Sequence, residues 1–133
     1  MSNVVNCAGT ITAEPQAVTD GSFPAGSTSL PFTLNPPDKP FAVDTGRQLL
    51  NVNSPNAFTA FAGVGADAAV TQASFLYIRV NQSMKVRITQ NGQTPAVSLI
   101  RGLFILEPDT GDEVTLVEFE GAGQVELYAS GQQ

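Results

Sequence analysis

The stretch "FLYIRVNQSMKVRITQNG", residues 75–92, writes one alternating pattern twice. Leu76, Ile78 and Val80 share a parity, and Met84, Val86 and Ile88 continue it beyond a polar break at 81–83. Successive strand side chains point to opposite faces, so six aliphatic residues fall on one side. Phe75, Tyr77, Arg79, Lys85, Arg87 and Thr89 fall on the other, which puts three of the chain's six basic residues together. The pattern predicts an amphipathic β-hairpin turning at 81–83.

Further along, "PAVSLIRGLFILEP" is apolar at both parities over 99–106, the expectation for a strand buried on two sides, with Gly102 marking a bulge. "EPDTGDE" has turn chemistry at 109–111. "EVTLVEFEGAGQVELYASG" predicts a last hairpin turning at 121–123, with Val125, Leu127 and Ala129 inward and Glu118, Glu120, Gln124, Glu126 and Tyr128 outward. One predicted hairpin thus shows cations and the other carboxylates. "QNGQ" at 90–93 reads as a turn.

Towards the N-terminus, "VVNCAGTITA" at 4–13 suits an edge strand, with Cys7 as a small buried residue. Residues 14–40 hold six of the nine prolines. Proline removes ladder donors, so sheet is expected there only as short edge pieces such as 30–34, within an ordered arm anchored by Phe23 and Phe32. Residues 41–53 predict short strands around a turn at 45–46. The alanine-rich stretch after them carries Gly63 and Gly65 and predicts a loop with one helical turn near 66–70. With no long amphipathic helix and about eight short strands, the fold class is all-β: a β-sandwich of jelly-roll type, or alternatively a small β-barrel. The organisation expected is one domain over 1–133, with an extended proline-rich arm and edge strands at 1–40, short strands and loop at 41–73, and core hairpins at 74–133.

Composition narrows the function. A chain of 133 residues with 42% apolar residues can bury one core, yet only 14% are charged, which leaves surface for something other than water to cover. The net charge of −6 disfavours general phosphate-backbone binding. "MSNVVNCAG" has no cationic start and no long apolar run, so neither signal peptide nor membrane anchor is expected, and the protein should stay in the compartment where it is made. No histidine and one cysteine remove Ser-His-Asp and Cys-His nucleophile systems, an internal disulfide and the usual zinc sites.

Carboxylate pairs for glycoside hydrolysis, Glu118 with Glu120 or Glu107 with Asp109, read better as solvated strand and turn acids, because no tryptophan sugar platform accompanies them. "EPDTGDE" departs from the calcium-loop pattern, and "GAG" at 121–123 lacks the context of a dinucleotide fingerprint. The expectation is therefore a protein that is not an enzyme, with no catalytic, cofactor-binding or metal residues. The candidate contact residues are Phe75, Tyr77, Arg79, Lys85 and Arg87 on the basic ribbon, with Phe23 and Phe32 on the arm. Rings beside cations imitate a single-stranded nucleic-acid platform, but the net charge and the acidic ribbon oppose that use. Complementary ribbons suit copies of the chain meeting one another, cation face to carboxylate face.

The His-free, Cys-poor composition, the proline-rich N-terminal half and the run "FLYIRV…MKVRIT…GLFILEP…VTLVEFEGAGQVELYASG" resemble small virion proteins of tailed bacteriophages, in particular capsid decoration or cement proteins. The resemblance covers roughly 74–131 and is one of pattern. It implies a jelly-roll or related β-fold and a dimer or trimer. It also implies binding to the major capsid protein on the outer face of a phage head assembled in the host cytoplasm, without nucleic acid, membrane or active site. Arg79, Lys85, Arg87 and the N-terminal arm become the implied contact surfaces. A tail or connector protein and a receptor- or carbohydrate-binding β module are the competing readings.

Overall fold

The computed structural model describes residues 3–13 and 28–133. Every regular element among them is a strand, and the sheets are antiparallel and curled into a half-barrel. Contacts divide the chain into two compact units, Asn6–Lys39 and a larger one of Met1–Val5 with Pro40–Gln133.

β1 (Asn3–Ala13) and β2 (Thr28–Phe41) form a two-stranded ribbon, most of which belongs to the smaller unit. β2 is longer than the expected 30–34 and runs through Pro31, Pro36, Pro37 and Pro40. In a two-stranded ribbon both strands are edges, so a residue without an N–H on the outer side costs no ladder bond. The Phe32 ring lies over Gly9, where an added methyl group would sit 2.8 Å from its Cζ. Cys7 is a free thiol, half-buried and not enclosed as expected.

The larger unit follows as β3 (Val43–Asp44), β4 (Gln48–Ala60), β5 (Gln72–Val80), β6 (Met84–Gln90), β7 (Ala96–Ile100), β8 (Leu103–Leu106) and β9 (Val114–Gln132). β9 organises it. β3 and β4 pair along one of its edges; on the other, β5 pairs with its second half and β6 with its first half. β8 then adds to β5, and β7 to β6. Neither hairpin expected at 81–83 and 121–123 exists. β5 and β6 run in one direction along β9, and β9 is one 19-residue strand through its glycines.

The cause is a corner shared by the two strands. Gly121 and Gly123 have φ of +146° and +156°, a region open to glycine, so the chain bends there without reversing. Opposite them the Asn81 backbone N–H donates to the Gln124 carbonyl oxygen at 3.2 Å, and Asn81 Oδ1 accepts from the Gln124 N–H at 2.8 Å. Methyl groups at the two glycines would meet Met84 Cγ at 3.1 Å and Asn81 Oδ1 at 2.9 Å. Alternation keeps its parity through a bend as through a reversal, so the sequence pattern fits either.

The bend closes the core. Ala73 pairs with both Gly131 and Val114, residues about 55 Å apart in a straight strand at ~3.3 Å per residue. Leu76, Ile78 and Val80 of β5, Met84, Val86 and Ile88 of β6, and Val117, Phe119, Val125, Leu127 and Ala129 of β9 therefore face one another in one cluster. Each large aliphatic or aromatic side chain there contributes roughly 1.5–3 kcal/mol. Residues 61–71 form no helical turn. They make a loop bridged between Val64 and Val70, both fully buried, with the Ala68 N–H donating to the Gly65 carbonyl oxygen.

The 99–106 run is not buried on two sides. Among the described residues β7 and β8 each have one neighbouring strand, and Leu99 and Leu103 are 72% and 58% exposed. Gly102, at φ +109°, breaks the run where a bulge was expected. The expected turns at 45–46, 90–93 and 109–111 are present, with Gly46, Gly92 and Gly111 at positive φ. Gly131 sits against backbone: an added methyl group would collide with the Gln72 carbonyl oxygen and lie 2.9 Å from Ala73 Cα. Gly131→Ala should lower unfolding free energy by about 2–4 kcal/mol, read by chemical denaturation. Gly65→Ala, with nothing within 4 Å of the added atom, should change it by less than about 0.5 kcal/mol.

Candidate interaction surface

The face of the sheet opposite the core carries a ladder of cross-strand ion pairs. Arg79, Lys85 and Arg87 stand in register with Glu126, Glu120 and Glu118. Arg87 grips Glu118 with two parallel bonds, Nε to Oε1 at 2.8 Å and a terminal nitrogen to Oε2 at 2.6 Å. Its guanidinium carbon also lies 4.1 Å from the centre of the Phe58 ring. Phe58 lies within an irregular stretch of β4, between Ser54 and Thr59, where the Ser54 hydroxyl donates to the Ala57 carbonyl oxygen at 2.7 Å. Lys85 approaches Glu120 at 3.9 Å.

Glu126 collects three donors. Arg47 donates Nε to Oε2 at 2.6 Å, Tyr77 donates its hydroxyl to Oε1 at 2.9 Å, and an Arg79 terminal nitrogen lies 3.3 Å from Oε1. Hydrogen bonds from Arg47 and then Tyr77 hold the Glu126 carboxyl below the usual carboxylate range. The Arg87 bond does the same for Glu118. Burial, reinforced by Glu126, raises the Tyr77 phenol. At the neighbouring edge Tyr128 donates to Asp44 at 3.1 Å, and burial together with that bond pushes its phenol up to about 12.

Complementarity between basic and acidic residues is thus met inside the chain. The two predicted ribbons are adjacent strands, so their charges meet each other before any second copy does. Arg79 and Lys85 keep side chains 60% and 52% exposed, whereas Arg87 is held between Glu118 and Phe58. Phe75 is no exposed contact ring. It is 4% exposed, with its centre 6.3 Å from that of Tyr128. Phe32 is half-buried within the ribbon, and Phe23 lies outside the described residues. Arg47 and Phe58 were missed by sequence reasoning, and no spacing rule finds Arg47, since it meets Glu126 79 positions away.

Glu118 and Glu120, weighed as a hydrolytic pair, each neutralise a cation. Among the described residues no group of three or more His, Cys, Asp or Glu is placed to hold a metal. A surface depression of about 480 Å³ opens beside Glu126, lined by Arg47, Leu49, Arg79, Asn81 and Gln124 among others, and no aromatic ring lines it.

Apolar side chains supply the remaining features of the surface. Val4, Ile11 and Leu30 on the ribbon, Leu49 on β4, Val97 and Leu99 on β7 and Leu103 on β8 are all more than half exposed. Among the described residues β4 and β7–β8 are the sheet's two open edges. β4 carries Pro55 and a register shift, both of which discourage further pairing, whereas β7 has neither proline nor charge. No family model matches the chain, and no curated protein or solved structure matches it either.

The lowered carboxyls link the ladder to pH. A depressed folded-state pKa gives stability that is present above the ordinary Glu value of 4.5 and is lost as pH falls through the folded value. Denaturation midpoints should therefore drop on acidification from about pH 5 to pH 3. Glu118→Gln should flatten that slope, and an unchanged slope would show that the Arg87 pair is not its source.

Proposed function

We propose that the protein is a non-enzymatic virion structural protein of the capsid decoration or cement type, which stabilises a phage head by binding the major capsid protein on its outer surface as a homo-oligomer. The observation that carries this reading is the distribution of exposed apolar side chains, which lie along strand edges and a thin ribbon. A two-stranded ribbon in water is marginal alone, so β1–β2, with Val4, Ile11 and Leu30 outside, suits docking along a partner. Its four described prolines have already given up backbone freedom, which lowers the entropy lost on docking.

The internal ion-pair ladder moves the contact from charge to apolar surface. Exposed pairs add little to affinity, and here their partners are already engaged. A small clamp burying on the order of 1,000 Å² per site holds a shell through many copies acting together. A two-layer arrangement of jelly-roll type, made by the folded-over halves of the sheet, belongs to the same proposal. The expected absence of a catalytic role also belongs to it. Of the competing readings, a sugar-binding module finds no aromatic wall in the depression beside Glu126, and the phenylalanines lining two other depressions, Phe61 and Phe119, are buried in the core; a tail or connector component would use the same edges in a ring.

Electron microscopy of purified particles, with copy number by quantitative mass spectrometry, tests the proposal. The expected result is many copies on the outer head surface; a single ring at the tail, or absence from the particle, would overturn it. Ile11→Asp with Leu30→Asp should cut occupancy of undecorated heads by about tenfold or more while circular dichroism is unchanged. Charge reversal at Arg87 is a poorer probe, because it puts two carboxylates together at Glu118.

A further inference from the structure

We infer that the outer edge of β7 joins two copies of this chain, Ala96–Ile100 pairing antiparallel with the same strand of the partner about Ser98 to extend the sheet across a two-fold axis. The inference rests on the reading of the protein as an assembly component and names the surface that joins its copies. β7 bonds to β6 on one side, and among the described residues nothing pairs with its other side. Native edges are usually blunted by lysine, proline or a bulge, and β7 has none of these across five residues. Val97 and Leu99, 54% and 72% exposed, share the outer face with Arg87 and Lys85, their register partners.

Self-complementarity identifies the occupant. Antiparallel pairing about Ser98 sets Val97 against the partner's Leu99, and Leu99 against the partner's Val97, so the same patch covers itself on both copies. Charge selects the orientation. Among the described side chains, Arg101 is the basic residue left without an ion pair, and it stands at the exposed end of β7. At the other end, the turn after β6 is tied to the acidic turn holding Asp109, Asp112 and Glu113. Asn91 donates to the Gly111 and Glu113 carbonyl oxygens at 3.2 and 2.9 Å, and Gln90 to that of Asp112 at 2.8 Å. Antiparallel pairing carries each Arg101 to the partner's acidic end, whereas parallel pairing would place Arg101 beside the partner's Arg101.

The neutral edge is also where two molecules of net charge −6 approach with least repulsion. Five paired residues bury less than a standard interface, which makes the dimer weak and concentration-dependent, as suits subunits gathered on a shell.

Cross-linking of the free protein tests the register. Paired antiparallel Cα atoms lie about 4.5–5.5 Å apart, within disulfide range. Ser98→Cys in a Cys7→Ser background should give a disulfide-linked dimer on mild oxidation. In sedimentation velocity the parent chain should dimerise reversibly, and Val97→Lys with Leu99→Lys should weaken that association by about tenfold or more with an unchanged circular dichroism spectrum. Arg101→Glu should weaken it as well. A parent chain that stays monomeric, a dimer that survives the lysine pair, or a dimer that fails to cross-link at Ser98→Cys overturns the inference. These measurements need no particle, so they stand apart from the capsid test.

Discussion

Two strands bending at the same place make this molecule. β9 turns at Gly121–Gly123 and its neighbour turns at 81–83, and Asn81, through its backbone N–H and its side-chain Oδ1, bonds the Gln124 backbone and holds the two corners together. Because both bend, the aliphatic faces of their two halves close on each other. A flat sheet with the same pairing would leave the even face of β5–β6 and the odd face of β9 in water. The corner therefore converts one amphipathic sheet into a closed core. It also sets a steric condition: Met84 and Asn81 occupy the space that side chains at 121 and 123 would need.

The corner determines the electrostatics as well. By laying β5 and β6 along one edge of β9, it brings Arg79, Lys85 and Arg87 opposite Glu126, Glu120 and Glu118. Had both segments closed into hairpins, those charges would have lain on separate ribbons, free to seek partners elsewhere. The pairs instead neutralise one another on one face. Arg47 and Tyr77 complete the donors around Glu126, and Phe58 covers Arg87. Attraction to other molecules then falls to apolar side chains at the sheet's edges and on the β1–β2 ribbon.

Such a division suits a protein whose work is adhesion. The core and the ladder need no partner, while Val97, Leu99, Leu103, Ile11 and Leu30 gain from one. The ribbon, thin and rich in proline, is the segment the proposal assigns to following another surface. The β7 edge, short and uncharged, is self-complementary in the pairing inferred for two copies. The proposed shell binding and the inferred self-association would then use different parts of the chain.

Much was legible in the residues. Alternation at Leu76–Ile78–Val80, Met84–Val86–Ile88 and Val125–Leu127–Ala129 named the core face correctly, because a strand's period of two survives any bend that keeps the strand in register. The turns at 45–46, 90–93 and 109–111 were legible from glycine and polar residues. The lack of long helical periodicity was enough for an all-β fold. Strand order was not legible. Parity is blind to whether 81–83 and 121–123 reverse the chain or only bend it, and that choice depends on which edges of β9 remain open. Exposure at Leu99 and Leu103 and burial of Phe75 follow from the same choice, since both depend on how many neighbours a strand has. The sequence by itself determined which side of each strand is apolar, a local property of alternating side chains. Only the tertiary structure decided which strands lie side by side, because pairing is a contact between residues far apart in the chain.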